Sequence, residues 1–279
     1  MPAAATRTAM LDLVLEPWRE AFFQRAVLAV VLGGVTCACL GAYVVLRRMA
    51  FLSTALTHSI LPGVVGAVLL GLSPYLGALV AALLTAGGIA WLSARRGTTE
   101  DTAIGVMLSV MFAGGIALMS AAHAWRDFAG LLFGSVVSVG PEDLLMVGVT
   151  AAIVLFGLRV LHKELELASF DEEYAELIGA RPAWLRAALL LLVALGAVAC
   201  VRLVGALLTT ALFVLPAATG VLLGRTLPQV MGWSVACAVG GGIAGLYLSY
   251  HVPGVPSGAG IVLCCAVPYL LARLRGARR

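Results

Sequence analysis

Residues 49–94 read MAFLSTALTHSILPGVVGAVLLGLSPYLGALVAALLTAGGIAWLSA, 46 consecutive positions without an Asp, Glu, Lys or Arg. A helix crossing about 30 Å of hydrocarbon needs about 20 such residues. The run therefore holds two crossings, divided near Gly71-Leu72-Ser73-Pro74. Working outward, 226–272 is another charge-free run of double length, and 26–46, 102–125 and 203–224 are long enough for one crossing each. Shorter charge-free stretches lie at 128–141, 144–158 and 187–201. The resulting expectation is about nine spans, at 22–46, 51–71, 74–94, 102–123, 141–161, 185–201, 203–224, 228–250 and 256–273. Eight is the alternative, because Arg202 interrupts 187–224. Residues 128–141 are too short to cross and read as a re-entrant piece beside an outer loop, His123–Asp127.

Composition agrees. Of 279 residues, 62% are hydrophobic and 11% charged, against roughly a quarter charged in soluble proteins, and the mean hydropathy is +1.05. So few charges cannot coat a soluble domain, which excludes a soluble enzyme, a nucleic-acid reader and a disordered scaffold. The fold class is all-α, a polytopic membrane protein in the lipid bilayer. Six cysteines lie inside the expected spans without metal-finger spacing and read as packing residues. Residues 1–25 carry Asp12, Glu16, Pro17 and Glu20 and do not read as a cleavable signal.

The basic residues set an orientation. Arg47-Arg48, Arg95-Arg96, Arg159, Lys163, Arg181, Arg186, Arg225 and the tail Arg273, Arg275, Arg278 and Arg279 fall on one side, 13 of the 18 Lys and Arg residues. Short cytoplasmic loops carry such an excess. The expectation is an outward N-terminus and a cytoplasmic C-terminus.

One sizeable polar segment stands on that side, residues 162–184, HKELELASFDEEYAELIGARPAW, with six of the fourteen acids. Ser169 and Glu172 have capping-box spacing. Tyr174, Leu177 and Ile178 form an apolar stripe, and Gly179 with Arg181-Pro182 ends the helix. Two readings stand: a solvated connector, or a helix that docks its stripe into a groove of a cytosolic partner.

His58 is the histidine set deepest by sequence. An ionizable residue inside a span is expensive and calls for a function. Thr54 shares its helix face one turn earlier, and Pro62 follows one turn later, where Pro62 and Pro216 are candidate helix breaks. The imidazole suits a borderline divalent cation, or it hydrogen-bonds a facing helix. His251, after Ser249-Tyr250, ends a span at the outer face as an interfacial anchor or a ligand. The only lysine is Lys163 and no glycine-rich stretch leads into it, so the chain has no P-loop and cannot hydrolyse ATP itself. HExxH and GxSxG are absent, and no carboxylate sits mid-span as a coupled antiporter would need.

Six blocks in collinear order resemble a known family. Arg47-Arg48-Met49-Ala50-Phe51 leading into LSTALTHSILPG is similar to a segment of the permease subunits of bacterial ABC-type zinc/manganese uptake systems. Asp101-Thr102-Ala103-Ile104-Gly105, Leu132-Phe133-Gly134 with Pro141-Glu142-Asp143, SFDEEYAELIG, VGALLTTALFVLPAATG, and Ser249-Tyr250 with Pro256-Ser257-Gly258 resemble its other motifs. The likeness spans roughly 21–273. It implies a type II ABC importer permease in a bacterial cytoplasmic (inner) membrane. The implied partners are two cytosolic ATPase subunits, a metal-binding solute-binding protein outside and a second copy of the chain as a homodimer. No cofactor is held permanently; the divalent metal is the substrate. Phe170, Asp171, Glu172, Tyr174, Ala175, Leu177, Ile178 and Gly179 then form the coupling helix. His58, Thr54 and His251 become the candidate metal path. The family carries Asp where this chain has Thr54, and a neutral hydroxyl is a poorer ligand for hard cations. That substitution tilts the expectation to zinc, with manganese or iron next, then a metal-chelate or cobalamin-type permease, then a stand-alone secondary transporter.

Overall fold

In hydrocarbon no water satisfies the backbone, so a spanning segment must close its own hydrogen bonds as a helix. In the computed structural model, which describes residues 16–95, 97–122, 139–177, 179–252 and 254–276, every regular element is helical. After a short 3₁₀ turn at Pro17–Arg19 come α1 (Ala21–Leu46), α2 (Phe51–Leu69), α3 (Pro74–Ser93) and α4 (Glu100–Ala122). Then follow α5 (Pro141–Val160), two short helices α6 (His162–Phe170) and α7 (Glu172–Leu177), and α8 (Pro182–Val204). The chain finishes with α9 (Ala206–Leu223), α10 (Leu227–His251) and α11 (Ser257–Gly276). Among the described residues nine of these are long and apolar enough to cross a membrane. The expected outer loop and the re-entrant piece fall mainly on 123–138, outside the described residues.

Helix starts follow local chemistry. α3, α5, α8 and α10 each carry proline in their first two positions, where its fixed φ suits the helix and its missing N–H is no loss. α1 and α8 form the buried centre, with 78% and 72% of their most apolar stretches buried. They meet through Cys37 and Cys200, whose sulfurs lie 3.3 Å apart. Hydroxyls inside the bundle bond back to their own helices: Thr36 to Leu32 O, Thr85 to Ala81 O, Thr219 to Leu215 O and Ser234 to Val230 O, at 2.7–2.8 Å. Such bonds let a polar side chain sit in an apolar core at little cost.

Close approach replaces the hydrophobic effect as the packing device, because lipid is as apolar as the helices. α2 crosses α3 at Gly63 and Gly77, where a Cβ on either would lie 2.0–2.1 Å from the other's carbonyl oxygen. The helix breaks differ from expectation. Pro62 and Pro216 both lie inside continuous helices, α2 and α9. Each removes one backbone donor, and packing against neighbouring helices holds the chain helical through the gap. The actual break is Gly205, the single residue between α8 and α9, with φ 82° and ψ 165°. That region of backbone space is open essentially to glycine alone. Arg202 does not shorten α8, which runs on to Val204. Its Nε instead lies 2.7 Å from Asp143 Oδ1 at the start of α5.

Gly205→Ala is therefore expected to cost about 1–3 kcal/mol of backbone strain. A lowered thermal transition of the purified protein in detergent, with Gly232→Ala (where a Cβ meets open space) left unchanged, is the outcome to measure.

Candidate functional site

On α2, Phe51, Thr54 and His58 recur at i, i+3 and i+7. On α9, Leu207, Thr210, Ala211 and Val214 recur at i, i+3, i+4 and i+7. Helical periodicity puts each set on one face, and the two faces, with Ala50 and with Val262 of α11, line a cavity of about 830 Å³. Its wall is apolar except for the Thr54 and Thr210 hydroxyls and the His58 imidazole. The α2 and α9 walls are pinned together where the Thr57 and Thr210 hydroxyls meet at 3.2 Å. Thr57 also reaches back to Thr54 O at 3.0 Å.

His58 is half-buried. Its ring meets the edge of Phe112, from α4, with centroids 5.6 Å apart and planes at 73°. Among the described residues no hydrogen bond to the ring is formed, so the facing-helix bond that would make it purely structural is not seen there. Pro62 has no N–H to offer the His58 carbonyl. No carboxylate lines the cavity, and the described residues hold no group of three His, Cys, Asp or Glu that could hold a metal. The arrangement offers one borderline nitrogen and neutral oxygens, a set suited to brief contact with a cation that keeps some water. Phe51 and Leu207 are 69% and 59% exposed, so the cavity opens at the surface of this chain.

His251 lies elsewhere. At the end of α10 its ring stacks on Tyr247, with centroids 6.1 Å apart, and meets the edge of Tyr250. Its Nδ1 is 3.0 Å from Tyr247 O. Phe23 packs on both tyrosines, and the Trp18 indole donates to the Tyr247 hydroxyl at 2.6 Å. This is an aromatic girdle of the kind found at membrane–water boundaries, and His251 belongs to it rather than to the His58 cavity.

The polar segment 162–184 departs from its expected capping. Ser169 is no N-cap; it lies within α6, where its hydroxyl donates to Leu165 O at 2.5 Å and accepts from Arg47 Nε at 3.1 Å. Asp171 breaks the helix in extended conformation, and its Oδ1 takes the Tyr174 N–H at 2.9 Å, so Asp171 caps α7. Phe170, Tyr174 and Leu177 are exposed, Leu177 at 83%. Ala175 is fully buried and holds α7 against the bundle rather than presenting it outward. Gly179 has φ +87°, and Ile178 lies outside the described residues.

Sequence reading missed what anchors α7. Arg186 of α8 places Nη2 2.7 Å from Glu172 Oε1 and Nε 2.7 Å from Glu100 Oε1, the latter an ionic contact rather than an aligned hydrogen bond. One guanidinium thus joins α7, α8 and the start of α4. Arg47, whose pKa is lowered by burial against the opposing pull of Glu100 and Glu172, stands beside them. No spacing rule could pair positions 100, 172 and 186.

Residues 19–276 match the ABC 3 transport family. The chain belongs to that family. It is 35% identical over 255 residues to the manganese transport system membrane protein MntC of Halalkalibacterium halodurans, covering 90% of this chain and 86% of that protein. It is 30% identical over 263 residues to the chelated iron transport system membrane protein YfeD of Yersinia pestis, covering 94% and 88%. A chain of PsaBC from Streptococcus pneumoniae, solved in complex with Fab, superposes with a TM-score of 0.82 at 29% identity, over 94% of this chain and 95% of that one. The family expected from the six motifs is the family found, and this ABC 3 chain has the all-helical fold of a transporter's membrane subunit.

If Arg186 clamps α7, Arg186→Gln should couple energetically to Glu172→Gln. A double-mutant cycle on thermal unfolding is expected to give about 0.5–1 kcal/mol, the scale of a partly exposed pair. Strict additivity would show the contact to be incidental.

Proposed function

We propose that this chain is the membrane permease of an ATP-binding-cassette importer for a divalent transition-metal cation. The carrying observation is the His58 cavity: an imidazole and two hydroxyls set in an otherwise apolar wall between α2 and α9, in a chain of a transport family. The relatives named for manganese and for chelated iron support manganese or iron ahead of the zinc suggested by Thr54. The cation is cargo. His58 and the Thr54 and Thr210 hydroxyls replace part of its hydration shell, and neutral ligands release it readily. A space of about 830 Å³ also has room for a chelate, since small-molecule sites run from about 300 to 1,000 Å³. The lining imidazole favours the bare or partly hydrated ion.

Two copies of the permease face each other across the open side of this cavity. Two cytosolic ATPase subunits sit beneath them, and a solute-binding protein delivers metal from outside. ATP hydrolysis belongs to the ATPases, because this chain has no phosphate-binding loop. Exposed Phe170, Tyr174 and Leu177 fill a groove on the ATPase. Its movement displaces α7, and the Arg186 and Arg47 contacts carry that displacement to α4, α8 and α1. The spans then rock about the cavity in an alternating-access cycle.

His58→Gln keeps a polar side chain but loses the imidazole. With the partner subunits in proteoliposomes, it is expected to lower uptake of radioactive manganese, iron or zinc by about tenfold or more, equivalent to about 1.4 kcal/mol in the limiting barrier. Normal uptake of all three metals would remove His58 from the path.

Leu177→Asp should insert normally yet lose co-purification with the ATPase subunit and metal-stimulated ATP turnover. Unchanged association and turnover would make the 162–184 segment a solvated connector.

A further inference from the structure

A second cavity, of about 410 Å³, opens at the end of the bundle that carries α6 and α7. Its position is set by α1, α5 and α10. Leu155 and Leu158 of α5, Met231 in the second turn of α10 and Cys39 of α1 form its apolar wall, and Arg159, His162 and Lys163 form its rim. No carboxylate is among the lining residues. Arg159 is exposed in the last turn of α5, and Lys163 is exposed just beyond the Leu161 junction.

His162 is fixed by its neighbours. The Tyr43 hydroxyl is 2.5 Å from its Nδ1, and the Glu166 carboxylate is 3.9 Å from its Nε2. Glu166 makes no ion pair with Arg159 or Lys163. Among the described residues neither Arg159 nor Lys163 makes an ion pair. Two cations without an ion-pair partner among the described residues thus stand over an apolar cleft at the end of a span.

Basic residues at span ends are ordinary, and alone they would mean only orientation. This place differs because the cations rim a cavity with an apolar floor between three spans. A soluble anion would use the rim and leave the cleft empty. A phospholipid uses both, with its phosphate between Arg159 and Lys163 and an acyl chain along Leu155, Leu158 and Met231.

We infer that this cavity binds one anionic phospholipid, headgroup against Arg159 and Lys163 and one acyl chain in the α1–α5–α10 cleft. The leaflet on this side of the bundle, cytoplasmic by the charge distribution, is the one that carries anionic lipid. Because His162 opens α6, the bound lipid also braces the polar segment that leads to α7. The inference does not depend on which cargo the permease moves.

The test is native mass spectrometry of the full-length chain exchanged into detergent with phosphatidylglycerol or phosphatidylcholine. The wild-type chain is expected to retain one phosphatidylglycerol and little phosphatidylcholine. Arg159→Gln/Lys163→Gln should weaken retention on the order of 10- to 30-fold, two basic contacts at a membrane surface, whereas Arg225→Gln/Arg273→Gln should not. Arg159→Lys/Lys163→Arg should restore it, which separates charge from fold. A Leu158→Asn variant should lose the lipid while keeping both cations. Equal retention of the two lipids overturns the inference. So does equal loss in the Arg225/Arg273 control, or displacement of the lipid by millimolar inorganic phosphate, which would assign the rim to a soluble anion.

Discussion

Everything in this protein follows from the absence of water around its backbone. A helix in hydrocarbon has no alternative partner for its amides, so the chain resolves into spans whose polar side chains either bond back to their own turn or face a cavity. Thr36, Thr85, Thr219 and Ser234 take the first course. Thr54 and His58 take the second, on the same face of α2 and toward the same space. The distinction between structural and functional polarity is therefore visible in where each side chain finds its partner. Thr210 does both, donating to Ala206 O at 3.0 Å while its oxygen lines the cavity, whereas the His58 ring makes no hydrogen bond among the described residues and lies against the edge of Phe112.

The same constraint sets how the helices pack. Helices in lipid gain little by hiding apolar surface from each other, so contact relies on shape. Gly63 against Gly77 brings α2 and α3 into backbone contact, making them a stiff pair. Between α2 and α9 the contact is sparser and includes the Thr57–Thr210 hydroxyl pair beside a cavity, and α8 passes into α9 through the single residue Gly205. Close pairs joined by sparser contacts are what the proposed rocking cycle needs. At the polar end, charged side chains take over where water is available: Arg186 pairs with Glu100 and Glu172, and Arg47 donates a hydrogen bond to the Ser169 hydroxyl. Charge is affordable there and excluded a few turns deeper.

Taken alone, the sequence determined the class, the approximate number of crossings and the family. Each rests on one-dimensional quantities: the length of charge-free runs, the asymmetry of arginines and six motifs in order. It also singled out His58 and Thr54, because an imidazole in an apolar run is conspicuous and its helix face is fixed by spacing. It misjudged features governed by competition between neighbouring groups. Ser169 had the spacing of a cap, yet Asp171, two residues on, sits at the extended break and takes the Tyr174 N–H. Pro62 and Pro216 looked like breaks, yet the helices run continuously through both, and the break falls on Gly205, where only glycine fits the dihedrals.

What the tertiary structure alone decided is which distant residues share a place. Thr210 joins the His58 cavity, while His251 leaves it for the aromatic girdle with Trp18 and Phe23. Ala175 turns inward under α7, and Arg186 meets acids 14 and 86 positions away. Charge-free runs report how far a segment goes into the membrane but carry no record of azimuth or neighbour. Those depend on helix packing, which close contacts between small residues set in three dimensions and no local period encodes.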